Sequence, residues 1–340
     1  RKVYEKYLPY INNNFDFAEM LSEMLGELNA SHTGCRYYAS GATLSTAALG
    51  VFLDPSYEGD GLKIKEIIKR GPFAVKKNEV TPGSIIEKID GTDIKAGEDY
   101  NALLDGKAGK NIHLTIKNAK GKRFDLTIKA ISQGAQQELL YKRWVDRNRA
   151  IVDSVSHGRI AYVHVKAMNS ESFRTVYSEL LSEKNRTKDA VIVDERHNGG
   201  GWLHDDLCTL LSGKQYQEFV PHGKVVGKDP FNKWTKPSCV LICEDDYSNG
   251  HGFPWVYKEL GIGKLIGAPV AGTMTAVWWE TLMDRSLVFG IPQVGCRDMR
   301  GTFGENTTLQ PDIEVYNSPE DYITGHDTQL IRAVEEMMKK

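Results

Sequence analysis

From Phe15 to Leu28 the apolar residues Phe17, Met20, Leu21, Met24, Leu25 and Leu28 recur at intervals of three and four, the period of a helix that buries one face. The spacing predicts an amphipathic helix, with Asp16 and Glu19 set as a capping box at its start. Asn29 and Gly34 mark where the chain turns, so Ser31 and His32 are expected on a loop held by that helix. Between about Leu44 and Ile131 the period shortens to two. "SIIEKIDGTDI" (Ser84 to Ile94) reads as a strand followed by an Asp-Gly turn, and "IHLTIKNAKGKRFDLTI" (Ile112 to Ile128) as two strands around a Lys-Gly connection.

From about Gln136 the pattern changes again. "RIAYVHV" (Arg159 to Val165), "AVIVDER" (Ala190 to Arg196) and "CVLICED" (Cys239 to Asp245) are short runs without polar alternation, as in strands buried on both faces, and an amphipathic helix is predicted near Ser172 to Ser182. Strand, helix and strand in succession imply an α/β layer with a largely parallel sheet. Ligands gather at the carboxyl ends of such strands, where "DERHNGGGW" (Asp194 to Trp202) and "DDYSNGHGFP" (Asp245 to Pro254) fall.

The totals narrow the function without choosing it. A chain of 340 residues is long for one core, and its 41% hydrophobic and 26% charged residues are those of a globular protein. A formal net charge of −2, with no Lys/Arg run interleaved with aromatics, argues against nucleic acid as a partner. No window is apolar for long enough to span a bilayer. Five cysteines without a C-x-x-C pair suggest neither a disulfide framework nor a zinc cage, and the nine histidines contain no H-E-x-x-H, so neither a metal nor another cofactor is expected.

A nucleophilic serine needs a base, a group that orients the base, and donors for the developing oxyanion. Ser248, beside a turn-prone Asn-Gly pair, is the candidate nucleophile, and His251 and His32 are the candidate bases. At a spacing of three on a helix, His251 would share the face of Ser248 and point away from an incoming carbonyl. The three glycines Gly199, Gly200 and Gly201 admit a close backbone approach, as an oxyanion loop or as a tight strand-to-helix turn. A phosphate cradle lacks its G-K-[ST] ending. Taken singly, Ser31-His32 reads as a helix-terminal cap, Glu305 as a solvated carboxylate and Asp194 with Arg196 as a structural pair.

"GELNASHTG", "VDERHNGGGW", "SNGHGFP" and "GENTTLQPDIEV" occur in the order found in tricorn-type serine peptidases, which the whole chain resembles. "ALGV" (Ala48 to Val51) and "VTPGSIIEKIDGTDI" resemble the carboxylate-binding loop and a strand segment of PDZ domains. The resemblance implies an α/β fold. It places a small helical segment with Ser31-His32 at 1–43, a β-rich PDZ domain at 44–132, and a crotonase-like (ββα-superhelix) peptidase domain at 133–340. It further implies Ser248 as nucleophile, His32 as general base, Ser31 orienting the imidazole and Glu305 bonded to Ser31. Oxyanion donors would be the N–H groups of Asn249 and, in the glycine loop, Gly200. Gly199, Gly201, His251, Gly50 and Val51 would contact substrate.

For function the resemblance implies peptide-bond hydrolysis through an acyl-enzyme, on peptides or unfolded polypeptides, without a cofactor. Family members form homo-oligomers with amino-terminal β-propellers, which this chain lacks; it opens on Arg1 as if mid-helix, consistent with an upstream part. The resemblance implies a cytoplasmic location, with export left open by that start. Three other readings compete. Carboxyl-terminal processing peptidases use a lysine about 25 positions after the serine, where "PVAGTMT" has Thr273. An acyl-CoA hydratase or isomerase would have no use for the PDZ-like module or the serine. A binding protein that had lost activity would have no need to keep all four tetrad residue types.

Overall fold

In the computed structural model of the chain, residues 2–41, 45–74 and 79–339 are described; the expected domain boundary at 43/44 lies outside them. Two compact units result: Arg1–Ser40 with Asn148–Lys340, and Gly41–Arg147.

The first unit opens with α1 (Asn14–Gly26). Its cap sits three positions before the expected one: Asn13, not Asp16, is the N-cap and accepts the Asp16 N–H at 3.0 Å, while the Asp16 carboxylate accepts the Asn12 N–H. Asp16 is thus the third residue of the first turn, and its carboxylate answers the N–H groups ahead of the helix. Strand β1 (Gly34–Tyr37) follows the helix.

The second unit carries β2 (Val51–Leu53), β3 (Leu62–Ile67), β4 (Ile85–Ile89), β5 (Thr92–Asp93), β6 (Asn111–Lys117) and β7 (Arg123–Lys129) in one antiparallel sheet, ordered β2-β3-β4-β6-β7 with β5 paired to β4. β6 alternates buried apolar and more exposed positions, so Ile112, Leu114 and Ile116 enter a core with Ile64, Phe73, Ile86 and Ile89. The Asp90-Gly91 turn puts both residues at positive φ, 47° and 83°, as a two-residue hairpin turn requires. Helix α2 (Gln133–Val155) begins in this unit and ends in the other.

The remainder of the first unit is built on a five-stranded parallel sheet. Its strands are β8 (Ile160–His164), β9 (Ala190–Asp194), β12 (Ser238–Ile242), β13 (Lys264–Gly267) and β18 (Ile313–Glu314), in the order β18-β13-β12-β9-β8. All five residues of β8, β9 and β12 are buried, which accounts for their continuous apolar runs. The crossovers carry α3 (Ser170–Leu180) and α4 (Glu183–Arg186), then α5 (His204–Leu211) with the hairpin β10 (Gln217–Phe219) and β11 (Gly227–Asp229), then α6 (Asn249–Glu259). Beyond β13, β14 (Thr275–Val277) pairs with β17 (Pro292–Gly295), and β15 (Glu280–Thr281) with β16 (Leu287–Gly290). β1 adds to β16, Gly34 facing Gly290, which draws the amino-terminal segment into this unit. α7 (Pro319–Thr324) and α8 (Thr328–Met338) close the chain, α8 packing on β12, β9 and β13.

At the end of β9, Arg196 makes two bonds to Asp194 (2.9 and 2.8 Å) and two to Asp327 (2.9 Å each). Burial raises the Asp194 pKa, but the adjoining guanidinium outweighs it and holds the carboxyl below its ordinary value. This network, with Tyr162 donating to Asp194 at 2.8 Å, fixes the strand end from which the glycine loop departs.

Candidate active site

β12 ends at Ile242, the chain turns through residues 243–247, and α6 starts at Asn249. Ser248 is the N-cap, with φ 58° and ψ −118°, a region that non-glycine residues rarely occupy. Its neighbours hold it there. The Ser248 N–H donates to Thr273 Oγ1 at 2.9 Å, and its carbonyl accepts the N–H groups of His251 and Gly252 at 2.9 and 3.0 Å. The result is a sharp strand-to-helix turn that lifts the hydroxyl clear of both elements, the local geometry expected of a nucleophile.

The glycine loop crosses this turn at close range. A Cβ on Gly200 would stand 2.6 Å from Ser248 Cβ and 2.7 Å from the Tyr247 carbonyl, and one on Gly201 would stand 2.1 Å from the Met168 carbonyl. With φ of 94° and 134°, these two positions require glycine on both counts. Asn198 ties the loops together: its carbonyl accepts the Tyr247 N–H (2.9 Å), its N–H donates to Asp246 (3.1 Å), and its side chain donates to the Val165 carbonyl (2.8 Å). Asn249, buried at the first turn of α6, accepts the N–H groups of Leu203 and His204 at 2.7 and 3.1 Å. Leu203 has no side-chain cap to offer α5, and Asn249 satisfies those donors instead.

His32 arrives from the loop between α1 and β1, with φ 59°. Its N–H donates to the Tyr247 hydroxyl at 2.7 Å, and its ring lies tilted against that tyrosine, 4.8 Å between centroids. Ser31 Oγ is 2.7 Å from His32 Nδ1 and donates to Glu305 Oε2 at 2.9 Å; the Ser31 N–H donates to Glu305 Oε1 at 2.5 Å. Proton accounting then sets the tautomer. With the single Ser31 proton on the carboxylate, the tautomer protonated at Nδ1 donates to Ser31 and leaves Nε2 with a lone pair. Thr275 Oγ1 joins the same cluster, 2.9 Å from Ser31 Oγ and 3.0 Å from His32 Nδ1. Burial lowers the His32 pKa and the Glu305 charge raises it; burial prevails, leaving the ring below its ordinary 6.5.

His32, Ser248, Gly201, Asn249, Met274 and Thr275 line one cavity of about 240 Å³. Among the described residues no hydrogen bond joins His32 to Ser248, as is common before a substrate tightens such a pair. The Asn249 N–H has no acceptor among the described residues, nor has that of Gly201. A second, mainly apolar cavity of about 260 Å³, lined by Trp255, Val256 and Met299 among others, shares Met274 and Cys296 with the first.

Three expectations need correction. Gly200 is not the free donor of the loop, because its N–H is taken by Asn198 Oδ1 at 2.9 Å; the loop residue that lines the cavity, and whose N–H has no acceptor among the described residues, is Gly201. His251 does not face substrate. It is fully buried, its ring packs on Trp255 at 5.1 Å, neither nitrogen has a hydrogen-bond partner among the described residues, and burial lowers its pKa to about 4. In the β-rich unit, the Gly50 N–H already donates to Gln136 Oε1 at 3.0 Å, and Val51 is buried in the β2–β3 ladder, so the expected carboxylate loop is filled from within that unit. Gly199 is exposed, with open space beside its Cα. The residues that sequence reasoning missed are Tyr247, Thr275 and the supporting role of Thr273, all within motifs it had quoted for other residues.

Comparison with known proteins agrees with this architecture. The chain matches the model of peptidase family S41 over residues 159–315 and that of the tricorn protease PDZ domain over residues 57–133. It is 27% identical to the tricorn protease homolog of Saccharolobus solfataricus, over 99% of this chain and 32% of that protein. To the tricorn protease of Thermoplasma acidophilum it is 26% identical, over 100% and 32%. To the putative tricorn-like protease C-terminal subunit of Sulfurisphaera tokodaii it is 29% identical, over 99% and 40%. The crystal structure of the tricorn protease superposes with a TM-score of 0.82 at 25% identity, over 99% of this chain and 34% of that one. The chain therefore spans about a third of the length of the first two of these relatives.

Proposed function

We propose that this chain, which matches peptidase family S41 over residues 159–315 and the tricorn protease PDZ domain over residues 57–133, hydrolyses peptide bonds through an acyl-enzyme on Ser248. One observation carries the reading. Ser248, His32, Asn249 and Gly201 line one cavity, the N–H groups of Asn249 and Gly201 have no acceptor among the described residues, and Ser31 and Glu305 are bonded in series to the imidazole.

His32 Nε2 takes the Ser248 proton as Oγ attacks the scissile carbonyl carbon, and the oxygen that becomes negative is held by the N–H groups of Asn249 and Gly201. Collapse of the tetrahedral adduct expels the amine, which leaves with the proton from His32. Water then attacks the acyl carbon as the same nitrogen takes its proton, and collapse of this second adduct breaks the Ser248 ester, releases the acid and returns the proton from His32 to Ser248 Oγ. The imidazolium formed in each step donates from Nδ1 to Ser31, which passes the influence of the Glu305 charge without becoming charged itself. The substrates we infer are peptides or unfolded polypeptides, since among the described residues that line the cavity none carries a carboxylate, ammonium or guanidinium group that would select a small charged ligand. The parallel sheet with α8 packed on it supports a crotonase-like assignment of this domain.

A lysine-dependent mechanism is disfavoured by Thr273, whose hydroxyl is committed to the Ser248 backbone. The test is labelling with a fluorophosphonate that reports only activated serines. Wild-type protein should be labelled at Ser248, and Ser248→Ala and His32→Ala should not. Labelling that persists in His32→Ala at the wild-type rate would refute the assigned base.

A further inference from the structure

Three metal-ligating side chains converge at the ends of β9 and β12, outside the serine machinery. His197 follows β9, and Cys243 and Asp245 follow β12. His197 Nδ1 lies 3.0 and 3.1 Å from the two Asp245 oxygens and 3.8 Å from Cys243 Sγ, and the sulfur lies 2.7 Å from Asp245 Oδ1. Donor atoms from all three residues fall within 4.8 Å of one another. Cys243 is buried, whereas the side chains of His197 and Asp245 are 48% and 65% exposed. The sulfur is the floor of a shallow bowl, and the imidazole and carboxylate are its rim.

We propose that this bowl binds one divalent cation of borderline softness, with zinc the best fit. Zinc bonds of about 2.3 Å to sulfur, 2.0–2.1 Å to nitrogen and 2.0–2.2 Å to oxygen need donor separations of roughly 3.3–3.6 Å in a tetrahedron. The observed separations of 2.7, 3.0 and 3.8 Å bracket that range, and a small rotation of the exposed Asp245 side chain brings its oxygen into place. One thiolate, one imidazole and one carboxylate suit zinc, whereas magnesium and calcium prefer oxygen donors throughout.

A second nucleophilic relay, Cys-His-Asp, is the rival use of these three residue types, and the geometry opposes it. A relay uses one ring nitrogen for the thiol and the other for the carboxylate. Here Nδ1 faces both, which is how ligands arrange themselves about a point. The surroundings are also those of a ligand set. The His197 N–H donates to Cys243 Sγ at 3.1 Å, and the buried Asp246 fixes the backbone by accepting the N–H groups of Cys243 and Asn198 at 2.8 and 3.1 Å. Burial and the Asp246 and Asp245 carboxylates push the Cys243 thiol well above its ordinary range, so the ion itself must displace the proton. On binding, the S–H bond breaks and its proton goes to solvent, the ring proton leaves Nδ1 as Nε2 takes one from solvent, and the thiolate, the Nδ1 lone pair and a carboxylate oxygen fill three positions, with water in the fourth. The ion would join the loop that leads into Gly199–Gly201 to the loop that leads into Ser248, and so brace the site without taking part in the reaction.

The test uses the full chain after chelator treatment and dialysis, titrated with zinc by calorimetry and with cobalt by absorption. One ion per chain is expected, with a thiolate-to-cobalt charge-transfer band and tetrahedral ligand-field bands. His197→Ala and Asp245→Asn, both at exposed positions, should each weaken zinc by at least about tenfold, the lower end of what even outer partners of a metal site contribute. Cys243→Ala should remove the charge-transfer band. Absence of saturable one-site binding, or binding left intact in both exposed variants, overturns the proposal. None of these readouts depends on peptidase activity.

Discussion

The side-chain hydroxyl of Thr273 accepts the backbone N–H of Ser248 at 2.9 Å. That N–H cannot be answered by α6, because Ser248 precedes the first helical residue, and Thr273 is itself buried. Thr273→Val keeps the shape and removes the acceptor. The expected outcome is a stability loss of about 1–3 kcal/mol, the cost of a buried donor left unpaired, together with a fall in kcat/KM of at least about tenfold as the nucleophile turn loosens. Denaturant melts and peptide kinetics on the same preparation check both, and a variant neutral in each would remove Thr273 from the description of the turn.

The backbone of Ser248 is strained, at φ 58° and ψ −118°, and a glycine would adopt that conformation freely. Ser248→Gly and Ser248→Ala should both abolish peptide turnover. Ser248→Gly should nevertheless be the more stable by about 1 kcal/mol, the strain relieved less the extra chain entropy of glycine when unfolded. Equal stabilities would mean that the turn stores no strain at this residue.

As the proposed base, His32 must be neutral to accept a proton, so activity should fall as pH drops through its pKa. Burial places that midpoint below 6.5, against the raising influence of Glu305. Glu305→Gln removes the charge that raises it, and the acid limb of kcat/KM should therefore move to still lower pH while its plateau falls. Rates measured between about pH 5 and 8 resolve the limb. A midpoint moving upward in Glu305→Gln would contradict the sign of this coupling.

Two hydroxyls, Ser31 and Thr275, lie within 2.7 and 3.0 Å of His32 Nδ1. Either can receive the Nδ1 proton when the other is lost, so Ser31→Ala and Thr275→Val should each reduce kcat/KM by about tenfold or less. The double variant leaves Nδ1 without a partner and should lose at least about a hundredfold, within the range that positioned base catalysis contributes. Simple multiplication of two mild single effects would show that the hydroxyls act independently.

How much of this was legible beforehand depends on the kind of information a linear pattern encodes. The five-residue runs of β8, β9 and β12 are apolar because both faces of the sheet are covered, and that burial is written directly into composition. Ser31, His32, Ser248 and Glu305 stood out through motif order. The exact oxyanion donor did not, since whether Gly200 or Gly201 keeps a free N–H depends on where Asn198 Oδ1 lands. His251 misled for a related reason: its position on α6 is a matter of spacing, but the neighbours that bury it come from Trp255 and the packed interior. Thr275 reads as an ordinary strand residue, and only the meeting of β14 with the α1–β1 loop gives it a role. Gln136 occupies the Gly50 N–H from 86 residues away, a relation no local window contains.

The His32 N–H is bonded to Tyr247, which stands 215 positions further along the chain and next to Ser248. The proposed base and nucleophile, His32 and Ser248, therefore leave the ribosome far apart in time, His32 first. β1 carries the base loop and must wait for β16, synthesised after Ser248, before it has an edge to join. Until β16 has been made, His32 and Ser248 lack the strand pairing that holds them in register. The same dependence makes the protein divisible: a fragment lacking residues 1–40 would be inert, and adding that segment as a separate peptide able to pair with β16 would restore the base.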